Sequence, residues 1–226
     1  MCKKQSKEEE SVKKTLYSLL LDDAVVREID RIAHRTGLSR SALVNRVLAD
    51  YANMTTPETK VGDVFRAIEA LLQPDSELVP FFAPNGMTMS LKSSLDYKYR
   101  PTVKYEVELY RGGEDKIGEL SVVFRTQSAA LLEAMTGFFR LWKTIEDSFL
   151  APRLGAEIPC ALFENKFVRA ITAPKQSCTT DELAETISSY VRLFDRLMKG
   201  YLAGRISAPE LARSYESHIS RAKYFI

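Results

Sequence analysis

The sequence predicts an α+β chain in two parts. A small N-terminal module of one strand and two helices precedes a larger domain in which an antiparallel sheet packs against long helices. Three observations lead there. From 95 to 109 the odd positions (Leu95, Tyr97, Tyr99, Pro101, Val103, Tyr105, Val107, Leu109) are almost all apolar or aromatic, while the even positions (Asp96, Lys98, Arg100, Thr102, Lys104, Glu106, Glu108) are polar, which is the period of a half-buried strand. Two later segments carry stripes at helical spacing: Leu131, Met135, Phe138, Trp142, Ile145, Phe149, and then Leu183, Ile187, Tyr190, Phe194, Leu197, Tyr201. The first fifty residues hold a strand, a helix, a glycine-containing turn and a second helix in a very short span.

The opening twelve residues, MCKKQSKEEESV, are mixed in charge and lack a hydrophobic signal region, so they read as a disordered arm. The module proper covers 13–55. KKTLYSLLLDD begins it as a strand, although its second half is apolar on both faces. Asp22 is placed to cap a helix whose face is Val25, Val26, Ile29, Ile32 and Ala33, and Gly37 to end that helix in a left-handed conformation. Ser39 caps the next helix, with Leu43, Val44, Val47, Leu48 and Tyr51 as its stripe. So small a unit buries too little surface to be stable alone, and a partner chain is the natural remedy.

Thr56-Pro57 starts a further helix, with Val61, Val64, Phe65, Ile68, Leu71 and Leu72 on one face, which reads as a linker over 56–79. Pro74 and Pro80 then mark irregular chain. In the domain at 80–226, Met87, Met89 and Leu91 add a strand before the alternating run, which is interrupted at Pro101. The turn at 111–116 leads into a return strand with Leu120, Val122 and Phe124 on one face. After the two striped helices, a short helix from Ala208 to about Arg221 docks onto them.

The chain has 226 residues, 45% hydrophobic and 27% charged, with a formal net charge of +2. Any nucleic-acid binding therefore comes from a local patch and not from bulk charge. Within the first 55 residues the basic groups barely outnumber the acidic ones: Lys3, Lys4, Lys7, Lys13 and Lys14 are partly cancelled by Glu8, Glu9 and Glu10. Cys2, Cys160 and Cys178 form no CxxC pair, which favours a reducing, cytoplasmic setting over a disulfide framework. Cys160, in an apolar neighbourhood, reads as a buried inert thiol. No run approaches the ~18 apolar residues of a membrane span. His34 and His218 stand alone and read as surface residues. No Ser/His/Asp grouping, HExxH, P-loop or GxGxxG occurs, so the chain does not read as an enzyme and implies no cofactor or metal.

The segment LDDAVVREIDRIAHRTGLSRSALVNRVLADY, preceded by the strand, resembles the ribbon-helix-helix (MetJ/Arc-type) family of DNA-binding proteins. The likeness covers 13–51 only. It implies a homodimer in which two strands pair into an antiparallel ribbon that enters the major groove of double-stranded DNA. It implies a dimer core of Tyr17, Leu19, Leu21, Ile29, Ile32, Val44 and Val47. It leaves Lys14, Leu16, Ser18 and Leu20 on the groove face, and places a DNA phosphate at Ser39, Arg40 and Ser41, where free helix amides favour an anion.

One departure stands out. The groove face usually carries polar groups, because base edges offer donors and acceptors, and here three of its four residues are Leu, Ser and Leu. Two expectations therefore stand side by side. In one, the chain is a sequence-specific DNA-binding regulator, a repressor, or a plasmid or mobile-element accessory protein at a partition or transfer site. In the other, the leucines meet protein and the module serves only to dimerise. The C-terminal domain is expected to sense a small-molecule effector, bind a protein partner or extend oligomerisation.

Overall fold

The structure, a computed structural model, describes residues 15–54, 56–73, 77–95, 100–112 and 115–226, with the backbone only at 80–85. The chain divides into two compact units, Met1–Thr59 and Lys60–Ile226.

The first unit holds α1 (Asp23–Thr36) and α2 (Arg40–Tyr51). Asp22 takes the N-cap position in extended backbone, but its carboxylate makes no capping bond, contrary to the sequence expectation. Gly37 ends α1 at φ +67°, with its amide and that of Leu38 returning to the last carbonyls of the helix. Ser39 caps α2 with its hydroxyl, accepting from the amide of Ala42 at 3.2 Å. Residues 15–22 form no strand within the single chain.

Most of α3 (Pro57–Leu72) belongs to the second unit; the helix starts at the Thr56 cap as its Thr-Pro sequence suggests, the Thr56 hydroxyl accepting from the amide of Thr59 at 3.1 Å. The reading of 56–79 as a linker is corrected over this helix. Val61, Val64, Phe65, Ile68 and Leu72 belong to the main core, so α3 is part of that domain.

The sheet has six antiparallel strands in the order β1-β2-β3-β4-β6-β5: β1 (Val79–Asn85), β2 (Thr88–Ser94), β3 (Thr102–Leu109), β4 (Lys116–Phe124), β5 (Cys160–Phe163) and β6 (Lys166–Thr172). The β3–β4 hairpin and the strand near Met89 lie where periodicity puts them. The alternating run 95–109, expected to be interrupted at Pro101, continues as strand only beyond it. β2 ends at Ser94, the Leu95 amide bonds the carbonyl of Pro101 at 2.9 Å, and β3 begins only at Thr102, with 96–99 outside the described residues. β1, read as irregular chain because of its prolines, pairs with β2 through a bulged ladder, an edge position that tolerates proline. β5 and β6, joined by the two residues Glu164 and Asn165, were not expected.

Register explains the two faces. Val107 opposes Leu120, Tyr105 opposes Val122 and Val122 opposes Phe167, so one face is apolar but for Arg169, which opposes Leu120. It is covered by α4 (Ala129–Phe149), α6 (Thr180–Leu202) and α7 (Ala208–Arg221) through rings such as Phe139 stacked on Phe167 at 5.1 Å and Phe138 edge-on to Phe194 at 5.3 Å. By alternation the other face carries Lys104, Glu106, Ser121 and Lys166. This is an α+β arrangement with an antiparallel sheet, as the sequence predicts. Both striped helices occupy their expected places, and α6 opens with a capping box between Thr179 and Glu182.

Inside this core lies a charged cluster. Glu146 of α4 and Arg169 of β6 are fully buried and paired at 2.9 and 3.1 Å. The same carboxylate accepts the hydroxyls of Tyr190 at 2.9 Å and Tyr215 at 3.2 Å, and the Tyr190 hydroxyl accepts from the Trp142 indole at 2.9 Å. Arg169 also donates to the carbonyls of Ala170 and Ile226 and lies 4.5 Å from the centre of the Tyr190 ring. Burial opposes the Arg169 charge, but Glu146 outweighs it and holds the guanidinium pKa above its ordinary value. A second chain of contacts ties α6 to the sheet: the Tyr105 hydroxyl donates to Asp195 at 2.8 Å, and Asp195 pairs with Lys199 at 2.7 Å.

Candidate nucleic-acid interface

The N-terminal unit is the candidate site, and its residues are unusually open. Of the side chains on α1 and α2, only Ala33 and Leu43 are buried. Ile29, Ile32 and Val44, expected in a dimer core, are half-buried, and Val47 is exposed. In the segment ahead of α1 every residue is exposed, to differing degrees. Leu16 and Leu20 are 95% and 104% exposed, against 50% and 45% for Leu19 and Leu21. Ser18 is exposed with the outward set. Tyr17 departs from the pattern: expected on the inner face, it is largely exposed in the single chain. Lys14 and the arm at 1–12 lie outside the described residues.

Leu16, Tyr17, Leu20, Val47, Leu48 and Tyr51 thus all face outward from one small unit. Exposed leucines scattered singly need no explanation, but so many on a module with two buried side chains leave it without a core of its own.

At the start of α2, Ser39, Arg40 and Ser41 are all exposed. The first amides of a helix have no partner within it, which is the physical basis of an anion site. Arg40 is engaged already: its Nε and one terminal nitrogen grip both carboxylate oxygens of Asp30, each at 2.6 Å. These hydrogen bonds, with the charge of Asp30, raise the guanidinium pKa. Sequence reasoning placed Arg40 at the helix start but overlooked Asp30 as its partner. The signal was present, since Asp30 sits two turns into α1 and α1 folds back on α2 through the Gly37 turn. An arginine held in a fork is pre-aimed, yet it must exchange a carboxylate for a phosphate before it can anchor DNA.

Two further expectations are revised elsewhere. His218, read as a surface residue, is half-buried, and burial together with Arg196 lowers its pKa. Cys160 is partly buried, not enclosed, and burial raises the pKa of its thiol. Among the described residues no helix is long and apolar enough to cross a membrane, and no group of three or more His, Cys, Asp or Glu is placed to hold a metal. No family model matches the chain, and neither does any curated protein or solved structure.

Proposed function

We propose that the chain is a dimeric, sequence-specific DNA-binding protein of the cytoplasm, a transcriptional repressor whose N-terminal segments pair into a ribbon for the major groove. The observation that carries this reading is the uncovered apolar surface of the N-terminal unit, where Leu19, Leu21, Ile29, Ile32, Val44 and Val47 lack a finished core. A second copy laid strand to strand covers that set and leaves Leu16, Ser18 and Leu20 outward. Ser39, Arg40 and Ser41 then stand at the flanks of the ribbon as phosphate anchors, which position a protein on a duplex without reading its sequence. Leu16 and Leu20 can meet thymine methyl groups, and Ser18 supplies a hydrogen bond. An accessory role at a plasmid or mobile-element site uses the same surface and the same chemistry.

A second reading is favoured by a specific observation: Leu16 and Leu20 are the most exposed large apolar side chains described. On that reading they dock on another protein, and the module only dimerises. Selection of random duplex DNA on the purified full-length protein, repeated across salt concentrations, separates the two. Enrichment of an inverted repeat, with affinity falling steeply as salt rises, is expected for DNA binding. A flat pool even at low salt rejects it and leaves the protein-docking reading.

A further inference from the structure

The C-terminal unit contains a cleft of about 520 Å³ between α6, α7 and the segment that follows α7. That volume lies inside the ~300–1,000 Å³ range of small-molecule sites.

Its floor is apolar for a reason set by the buried cluster. Tyr190 and Tyr215 line the cleft, but both hydroxyls are committed to Glu146, so what they offer a ligand is ring. Ile219 and Phe225 extend this floor. The walls differ in charge. Glu182 on α6 pairs with Lys223 at 2.6 Å and caps its own helix, and the hydrogen bonds it accepts from Lys223 and from the Thr179 amide lower its pKa to about 2. That pair is mutually neutralised. One turn along α6 stands Glu185, and in the last turn of α7 stands Arg221, both exposed, with no hydrogen-bond or ion-pair partner among the described residues. Ser189 and His218 also line the cleft, and burial favours the neutral imidazole, which can donate and accept. One wall therefore carries an uncommitted carboxylate, the other an uncommitted guanidinium, and aromatic surface lies between.

We propose that this cleft binds a small zwitterion with an apolar body, an α-amino acid or dipeptide with aromatic or branched side chains, its ammonium at Glu185 and its carboxylate at Arg221. Rings and alkyl groups fill the floor, where fixed polar groups are few. The two charges set orientation and favour molecules that carry both, because a ligand with a single charge makes only one of the two charge-assisted contacts. Occupancy brings α6, α7 and the segment that follows α7 onto one ligand, the form an effector site takes. The inference is independent of what the N-terminal unit binds.

Calorimetric titration of the full-length protein tests it directly, without DNA. The probes are L-phenylalanine, L-leucine and the dipeptide Leu-Phe, against 2-phenylethylamine and 3-phenylpropionate, which each lack one charge. At least one zwitterion is expected to bind with a Kd below about 1 mM, with both single-charge analogues about tenfold weaker or worse. Glu185→Gln and Arg221→Gln, both on exposed side chains, are each expected to weaken binding about tenfold while the melting curve is unchanged. Ala222→Trp, which fills the cleft, is expected to abolish binding. No saturable heat from any zwitterion overturns the proposal. So does equal binding of the single-charge analogues, or unchanged affinity in both glutamine variants.

Discussion

The two units of this chain solve the problem of burial differently. In the N-terminal one, helices of 14 and 12 residues bury two side chains between them, Ala33 and Leu43. In the C-terminal one, the 23 residues of α6 alone bury eleven, and the sheet, α3, α4 and α7 share the same core. The larger unit even encloses an ion pair and satisfies it with two tyrosine hydroxyls. The contrast separates a domain with a filled core from a module that, on the proposed reading, gains its stability by association. The N-terminal transition should therefore depend on protein concentration and the C-terminal one should not.

The sharpest way to break that comparison is to attack the buried cluster. Glu146→Ala leaves Arg169 enclosed without its carboxylate and orphans the Tyr190 and Tyr215 hydroxyls. Urea unfolding of this variant should show the C-terminal unit destabilised by about 3–5 kcal/mol, with the N-terminal transition unmoved. The double change Glu146→Leu with Arg169→Met should recover much of the loss, because it removes both charges together. Equal losses in the two variants would mean that the pair itself, and not the stranded charge, carries the energy.

A smaller effect distinguishes close packing from open space. Gly118 on β4 lies against β3 so tightly that an added Cβ would sit 2.1 Å from the Glu108 carbonyl oxygen and 3.0 Å from Leu109. Backbone must move to admit it, so Gly118→Ala should cost about 1–3 kcal/mol in the C-terminal transition. Gly37 in the N-terminal unit has nothing within 4 Å of such a Cβ but holds φ at +67°. Gly37→Ala should cost about 1–2 kcal/mol, all of it from the left-handed backbone, and only in the N-terminal transition. If Gly37→Ala also lowers the second transition, the units are not energetically separate.

These cases also show what could be read before any coordinates. The stripes of α4 and α6 were legible because long helices buried on one side repeat a single spacing over six turns. The β3–β4 hairpin was legible because one face is covered and the other wet. The edge strands β1 and β5 were not, since short strands with proline or exposed Leu162 and Phe163 have no clean alternation. Glu146 was legible in principle: it falls four residues after Trp142 and three before Phe149, on the buried face, where a charge demands a partner. Arg169, in the middle of β6, was that partner, but β6 itself had not been recognised. The N-terminal strand was plain as a pattern, yet residues 15–22 form no strand in the single chain.

The smallest expected effect concerns Arg40. Its pair with Asp30 is short and two-pronged, but both side chains are largely in water, where such pairs add little to stability. Arg40→Ala should leave the N-terminal melting transition unchanged within measurement. Its consequence on the DNA-binding reading is larger and specific. The variant should lose affinity about equally for all duplex sequences, and the slope of log affinity against log salt should fall by about one. Asp30→Asn sharpens the point, because it releases Arg40 without removing it. Asp30→Asn should raise non-specific DNA affinity, with the increase erased when Arg40→Ala is added. A gain that survives in the double variant would instead assign the effect to the lost negative charge of Asp30, and Arg40 would then be a surface residue tying α1 to α2.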